Sequence, residues 1–385
     1  PYCTRQLADF GADVIKIESS VFDPNSRAGG AIPTHADLSR NKRSITVDLH
    51  TADGQEAIRR LIAESDAVVE NYAAGTLARW SLGYEDIRAL NPEVVYLSMP
   101  GWGSVGPYAD HVLFGLQAQT ASGASYLWGH PDATPRDRCA IYYADFFVGS
   151  QAAFVIESAL LHRKRTGKGQ FIEISQVEAM ANAMAVPFLD HVMNERDVEP
   201  TGNDRPYAAP HGVYPCMGDD RWVAIACDTD EQWAALSTAL TPSTPPNARP
   251  PEWTLDQRFR TFAGRDANRA EIDASLMAWT IGLTPKQVMF TLQHHGVPAA
   301  PVQDSEDVFF DPHLRSRDYI QPIEHPEPVW GTVHHAMFTS RLARTPGEVR
   351  LPAPVLGGHN AEVIKELLEY SEGEFKALKD SGALT

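Results

Sequence analysis

Ala67-Val68-Val69-Glu70-Asn71-Tyr72 is a short apolar run that ends on an acid and a polar pair. A run this short, bounded by polar residues, reads as a buried strand. Before it, Thr51-Ala52-Asp53-Gly54 opens a helical pattern that sets Ala57, Ile58, Leu61 and Ile62 on one face. After it, Asn91-Pro92 introduces a second strand, Val94-Val95-Tyr96-Leu97-Ser98. Further out, Ile45-Thr46-Val47-Asp48-Leu49 and Asp13-Val14-Ile15-Lys16-Ile17-Glu18 also read as strands, the latter after a helix end closed by Gly11. This alternation predicts an α/β fold, a parallel sheet with helices on its faces. Ligands of such sheets gather at the C-terminal ends of the strands. Asn71-Tyr72 and the loop Gly101-Trp102-Gly103-Ser104-Val105-Gly106-Pro107 both fall there.

An acid, Asp145, stands among aromatic and aliphatic residues in Tyr142-Tyr143-Ala144-Asp145-Phe146-Phe147-Val148-Gly149. From there Ala152, Ala153, Val155, Ile156, Ala159 and Leu160 recur at the spacing of one helix face. The far end, Arg163-Lys164-Arg165-Thr166-Gly167, puts cations where the helix dipole is negative and glycine at the stop. Asp145 is therefore expected at the N-terminus of a buried helix of about six turns. The plain reading of such an Asp is a helix cap. The functional reading is a carboxylate held ionised by the helix start, a usable nucleophile.

A chain of 385 residues is long enough for two domains. Its net charge of −17 argues against non-specific binding to nucleic acid or to an anionic membrane surface. No run of about 18 apolar residues appears, so no membrane-spanning helix is expected. The N-terminus carries no signal pattern. Cys3, Cys139, Cys216 and Cys227 form no C-x-x-C pair, and thiols so placed suit a reducing cytoplasm. The histidines show no H-x-x-x-H spacing, and no metal site is expected. Neither standard nucleotide loop occurs, though the cations Arg40, Lys42 and Arg43 between two sheet elements offer themselves as phosphate contacts or as solvated surface.

Beyond the central helix, Phe171-Ile172-Glu173-Ile174-Ser175 alternates as a strand, and residues 177–191 read as one Ala- and Met-rich helix. Residues 200–210 turn rich in Pro, Gly, Asn and Asp, a linker by composition. Gly212-Val213-Tyr214-Pro215-Cys216 and Trp222-Val223-Ala224-Ile225-Ala226-Cys227 then flank a hairpin turn. Helical stretches follow around 233–240, 268–279 and 285–295. The chain closes with a helix near 360–370.

Several motifs in order resemble the family III CoA-transferases, the CaiB/BaiF-like group that includes the formyl-CoA transferases. They are Leu7-Ala8-Asp9-Phe10-Gly11-Ala12-Asp13-Val14-Ile15-Lys16-Ile17-Glu18, Asn41-Lys42-Arg43-Ser44-Ile45, Val69-Glu70-Asn71-Tyr72 and Leu82-Gly83-Tyr84. Ala144-Asp145 with Gly149, Arg165-Thr166-Gly167-Lys168-Gly169-Gln170 and Leu356-Gly357-Gly358-His359-Asn360 continue the match over nearly the whole chain. The resemblance implies a Rossmann-like large domain built from both chain ends, with a smaller α+β domain inserted. Residues 1–200 and 306–385 are then the large domain and 201–305 the insert. It implies an interlocked homodimer. It also implies a strand and loop ahead of Pro1 that contribute to the CoA site.

The same resemblance makes Asp145 the catalytic residue. Its carboxylate attacks an acyl-CoA thioester, giving a mixed anhydride and then an aspartyl-CoA thioester, from which a carboxylic acid takes the CoA. Coenzyme A enters as substrate, with no tightly bound cofactor. Positions implied to contact CoA are Arg27, Val47, His50, Asn71, Tyr72 and Arg79; His50 stands where the family often has Lys or Arg. The aromatic residues about Asp145 are expected to exclude water. An oxyanion site is expected in the loop 101–106 or at the helix start. The acceptor pocket is expected near Pro210-His211-Gly212-Val213-Tyr214. Alpha-methylacyl-CoA racemases share the scaffold but need a second acid/base. That position is Phe114 here, with His111 out of register. A non-catalytic CoA-binding subunit is the remaining alternative, and the presence of Asp145 does not favour it.

Overall fold

The computed structural model describes residues 1–19, 32–137, 141–242, 249–326 and 331–384. It is a mixed α/β chain in two compact units. The first takes Pro1–Tyr126, Cys139–Val198 and Ser316–Thr385; the second takes Leu127–Arg138 and Glu199–Arg315. The segment before residue 139 thus joins the second unit, ahead of the linker that composition marks.

In the first unit, strands β1 (Val14–Glu18) and β2 (Lys42–Thr46) pair in parallel, Ile17 opposite Ile45. Strands β3 (Ala67–Glu70), β4 (Val95–Ser98) and β5 (Gln170–Glu173) form a second parallel ladder with β4 in the middle. β4 is buried at all four positions, which explains its unbroken apolar reading. Thr51 caps the helix Ala52–Ala63 by accepting the N–H of Gly54, and Ala57, Ile58, Leu61 and Ile62 bury together. Residues 45–49 do not form one strand: β2 begins at Lys42 and ends at Thr46. The expected helix over 177–191 is two, Gln176–Ala183 and Ala185–Asn194, broken at Met184. Pro187 lacks the N–H that would continue the ladder across that break.

The end of the chain returns to β2. Gly357 takes a left-handed φ of 65° and donates its N–H to Ser44 Oγ. His359 Nδ1 accepts from the Ser44 N–H, and Asn360 bonds both the N–H and the hydroxyl of Thr46. The Leu-Gly-Gly-His-Asn motif is therefore a clasp on β2. After a π-helical turn at Glu362–Leu367, a further helix, Glu372–Asp380, starts with a Ser371–Glu374 capping box.

The second unit is an antiparallel sheet, β6 (His211–Pro215), β7 (Trp222–Ala226) and β8 (Ala299–Val302), covered by helices that include Asp230–Ala239, Arg269–Thr280 and Pro285–His294. Its core gathers Val223, Ile225, Trp233, Leu236, Phe259 and Leu292. Arg265 is fully buried there and saturated by Ala209 O, Phe259 O and Asp230. Residues 299–302 supply its third strand.

Candidate active site

The helix Tyr143–Thr166 has 24 residues, with Arg163, Lys164 and Arg165 in its last turn and Gly167 left-handed at the stop. Among the described residues it is one helix long and apolar enough to cross a membrane, by length and composition. Here one face is core: Val148, Ala152 and Ile156 pack with Leu97 and Met99 of the β4 region and with Cys3. Gly149 makes room for the helix Tyr2–Asp9, because a Cβ there would stand 3.1 Å from Cys3 N and Tyr2 Cβ.

Asp145 is not the cap of this helix. Tyr142 holds that position without a side-chain bond, and Asp145 is the third residue of the first turn. Its carboxylate leans on a neighbouring helix, Gly115–Ala121: a Cβ on Gly115 would lie 1.6 Å from Asp145 Oδ2. Only glycine leaves the carboxylate that place. Burial raises the Asp145 carboxyl above its ordinary 3.8, while its own backbone N–H works the other way. The helix start therefore does not dominate. Solvent reaches the residue, so the desolvation comes from dense neighbours on one side of an open mouth.

The aromatic residues do not seal that mouth within one chain. Phe114, Tyr142, Tyr143 and Phe146 are all exposed, Phe114 at 60%. Among the described residues these rings stay open to solvent. Phe114 flanks Asp145 through the adjacent Gly115 and brings no titrating group. The loop 101–106 comes near: a Cβ on Gly101 would lie 2.5 Å from Leu113 Cγ, two residues before Gly115.

The implied CoA contacts divide. Arg27 lies outside the described residues. Val47 is 2% exposed, inside the main core, with its N–H on Glu18 O. His50 is open; its Nδ1 and backbone N–H both meet Asp48 Oδ1 at 2.9 Å, holding the Asp48 carboxyl below its usual range. The His50 ring stands edge-on to Trp80, centroids 5.7 Å apart, next to exposed Arg79, whose guanidinium reaches Thr76 Oγ1. Asn71 and Tyr72 are exposed directly beyond β3. His50 and the Arg79 segment thus meet through Trp80. In the second unit, His211 Nδ1 bonds Asn203 O, and Tyr214 is buried with its hydroxyl donating to Asp273. Tyr214 is core rather than pocket lining.

The cations Arg40, Lys42 and Arg43 are not free for phosphate. Arg40 is 0% exposed and donates to Asp9, Asp37 and Ala336 O. Lys42 donates to Pro1 O and Thr4 Oγ1, and burial lowers its ammonium to about 7. Arg43 pairs with Asp13 and Glu362. The pattern resembled a binding patch because sequence shows charges and not their partners.

Sequence reasoning missed a row of polar residues at the strand ends. Glu70, Ser98 and Glu173 stand in register across β3, β4 and β5. Burial raises the Glu70 carboxyl, opposed by bonds from Ser98 and the Tyr72 N–H. Glu173 lies under the loop, its Oε1 3.4 Å from where a Gly103 Cβ would be. The legible signal was a polar residue closing each apolar run. Gln119, on the helix beside Asp145, was missed too.

The candidate site is thus an open carboxylate in the first turn of a helix, fitted to a glycine and with exposed aromatic residues beside it in sequence. The sequence profile of CoA-transferase family III matches residues 1–360, and the chain belongs to that family. It is a CoA-transferase, working between acyl-CoA thioesters and free acids. It is 34% identical to the succinyl-CoA–D-citramalate CoA-transferase of Chloroflexus aurantiacus, over 98% of this chain and 93% of that one. It is 31% identical to the succinate–glutarate CoA-transferase of Agrobacterium fabrum, over 95% and 92%. A CaiB/BaiF family protein from Brucella suis shares the fold at a TM-score of 0.83 and 32% identity, over 95% of both chains.

Proposed function

We propose that Asp145 is the nucleophile of this CoA transfer. Its carboxylate oxygen attacks the thioester carbonyl carbon, the C–S bond breaks, and CoA leaves as thiolate. The thiolate then attacks the Asp145 carboxyl carbon of the anhydride and expels the first acid as carboxylate. An incoming carboxylate reverses both steps and leaves with CoA, and Asp145 is free again. A carboxylate is a weak nucleophile, so placement must compensate; well-oriented groups reach effective molarities of about 10⁵ M or more. The observation that carries this reading is the packing of Asp145 Oδ2 on Gly115, which fixes the carboxylate while its mouth stays open.

His50, Asn71, Tyr72 and Arg79 would take the nucleotide end of CoA, with Arg27 and Val47 assigned by resemblance alone. Relatives named for succinyl-CoA support a dicarboxylic donor of that kind. An interlocked homodimer and a Rossmann-like large unit belong to the same reading. Exposed Phe154, Val186, Phe188, Val192 and Met193 are apolar surface that a second copy would cover. Buried free thiols at Cys3, Cys216 and Cys227 support a cytoplasmic setting. Incubation with succinyl-CoA followed by hydroxylamine tests the nucleophile. A hydroxamate on the Asp145 peptide is expected. No adduct, with undiminished activity in Asp145→Ala, overturns the reading.

A further inference from the structure

Gln119 is 0% exposed, and neither its Nε2 nor its Oε1 has a hydrogen-bond partner among the described residues. A buried amide left unpaired on both sides is costly, and native proteins keep few. The apolar residues packed at this helix include Ala118, Ala144, Met180, Leu113 and Phe147. Gln119 lies four residues after Gly115 in the helix Gly115–Ala121, so the two share a face. Helical side chains lean toward the N-terminus, which carries the Gln119 amide toward Gly115, the residue on which Asp145 Oδ2 rests.

We propose that Gln119 is an oxyanion donor for Asp145's own carboxyl oxygen, an inference that rests on Asp145 being the nucleophile. Two steps of the transfer build a tetrahedral centre on the Asp145 carboxyl carbon. One is the attack of CoA thiolate on the anhydride; the other is the attack of the acceptor carboxylate on the aspartyl-CoA thioester. In each, the C=O π pair moves onto the Asp145 oxygen, then returns as the leaving group departs. That oxygen belongs to the protein and rests against Gly115, so a donor on the same helix is placed on its protein side. The amide of Gln119 approaches from the protein side and makes its bond when negative charge develops there, which is where a donor accelerates reaction.

Gln119→Met keeps length and removes the amide. Loss of one oxyanion donor predicts a kcat about 100-fold lower. The KM for acyl-CoA should change less than about threefold, since the ground state loses no bond. The melting temperature should hold or rise, because an unpaired buried amide has been removed. A structural role predicts the reverse, a lower melting temperature with kcat preserved, and that result overturns the proposal. So does a kcat within about threefold of the parent. Gln119→Leu serves if the Met variant does not fold, and failure of both to fold also overturns it. Asp145→Ala runs beside them. If it stays active, the nucleophile reading has failed; if it is dead while Gln119→Met is normal, only the role of Gln119 has.

Discussion

Arg40 and Asp145 are both charged groups set among packed helices, and the chain treats them in opposite ways. Arg40 is sealed from water and spends its guanidinium on Asp9, Asp37 and the Ala336 carbonyl. Asp145 keeps an open side, a raised carboxyl and exposed rings beside it in sequence. A saturated charge holds elements together and has no valence left for a ligand. An unsaturated one costs stability and is available for chemistry. The same contrast separates the buried, saturated Arg265 from the buried, unpaired Gln119.

That contrast breaks first at Asp145. Asp145→Ala should lower kcat by a factor on the order of 10⁴ or more while the melting temperature holds, read by steady-state assay and calorimetry. A second variant, Arg40→Ala, should do the reverse. Removing one partner of a buried pair destabilises by about 3 kcal/mol, measured by urea unfolding, with the KM for acyl-CoA unchanged in the folded protein. A raised KM would return Arg40 to the phosphate site. Gly115→Ala should lower kcat about 100-fold, because a displacement of the carboxylate by about 1 Å costs that much; its unfolding midpoint checks that packing alone has not failed.

The smallest effects are in pH. A raised Asp145 carboxyl must lose its proton to attack, so the acidic limb of kcat/KM should lie above the ordinary 3.8. Folding binds that proton more tightly than the unfolded chain does. Stability from this group is full below 3.8 and is lost as pH rises through the folded value. Asp145→Asn should therefore gain on the parent across that window in pH-dependent unfolding. His325 runs the other way. Burial, and then His335 with Nε2 atoms 3.0 Å apart, lower its imidazolium below 6.5. Its share of stability stands above 6.5 and falls as the solution is acidified. His325→Gln should flatten that part of the curve.

Much of this was legible in the sequence. Ala67-Val68-Val69-Glu70 and the Thr51 cap are local signals, and local signals carry through to the structure. Helix ends were read wrongly where a single residue decided, as at Met184 before Pro187. The final helix, Glu372–Asp380, went unread although its Ser371–Glu374 capping box is an S-x-x-E pattern in the sequence. The site was half legible. Asp145 stood out by its apolar setting and took its proposed role from the resemblance, but its lean on Gly115 depends on two helices meeting. The role of Arg40, Lys42 and Arg43 could not be read, since their partners lie at residues as distant as 336 and 362.

The clasp of Gly357, His359 and Asn360 on β2 sets an order for the emerging chain. β2 is made early and pairs with β1, yet Ser44 and Thr46 meet their clasp only once residues 357–360 have been made. The 211–302 sheet, by contrast, draws all its strands from one continuous stretch and can close as soon as that stretch leaves the ribosome. A translation product halted near residue 340 should therefore hold a protease-resistant second unit beside an unfinished first one.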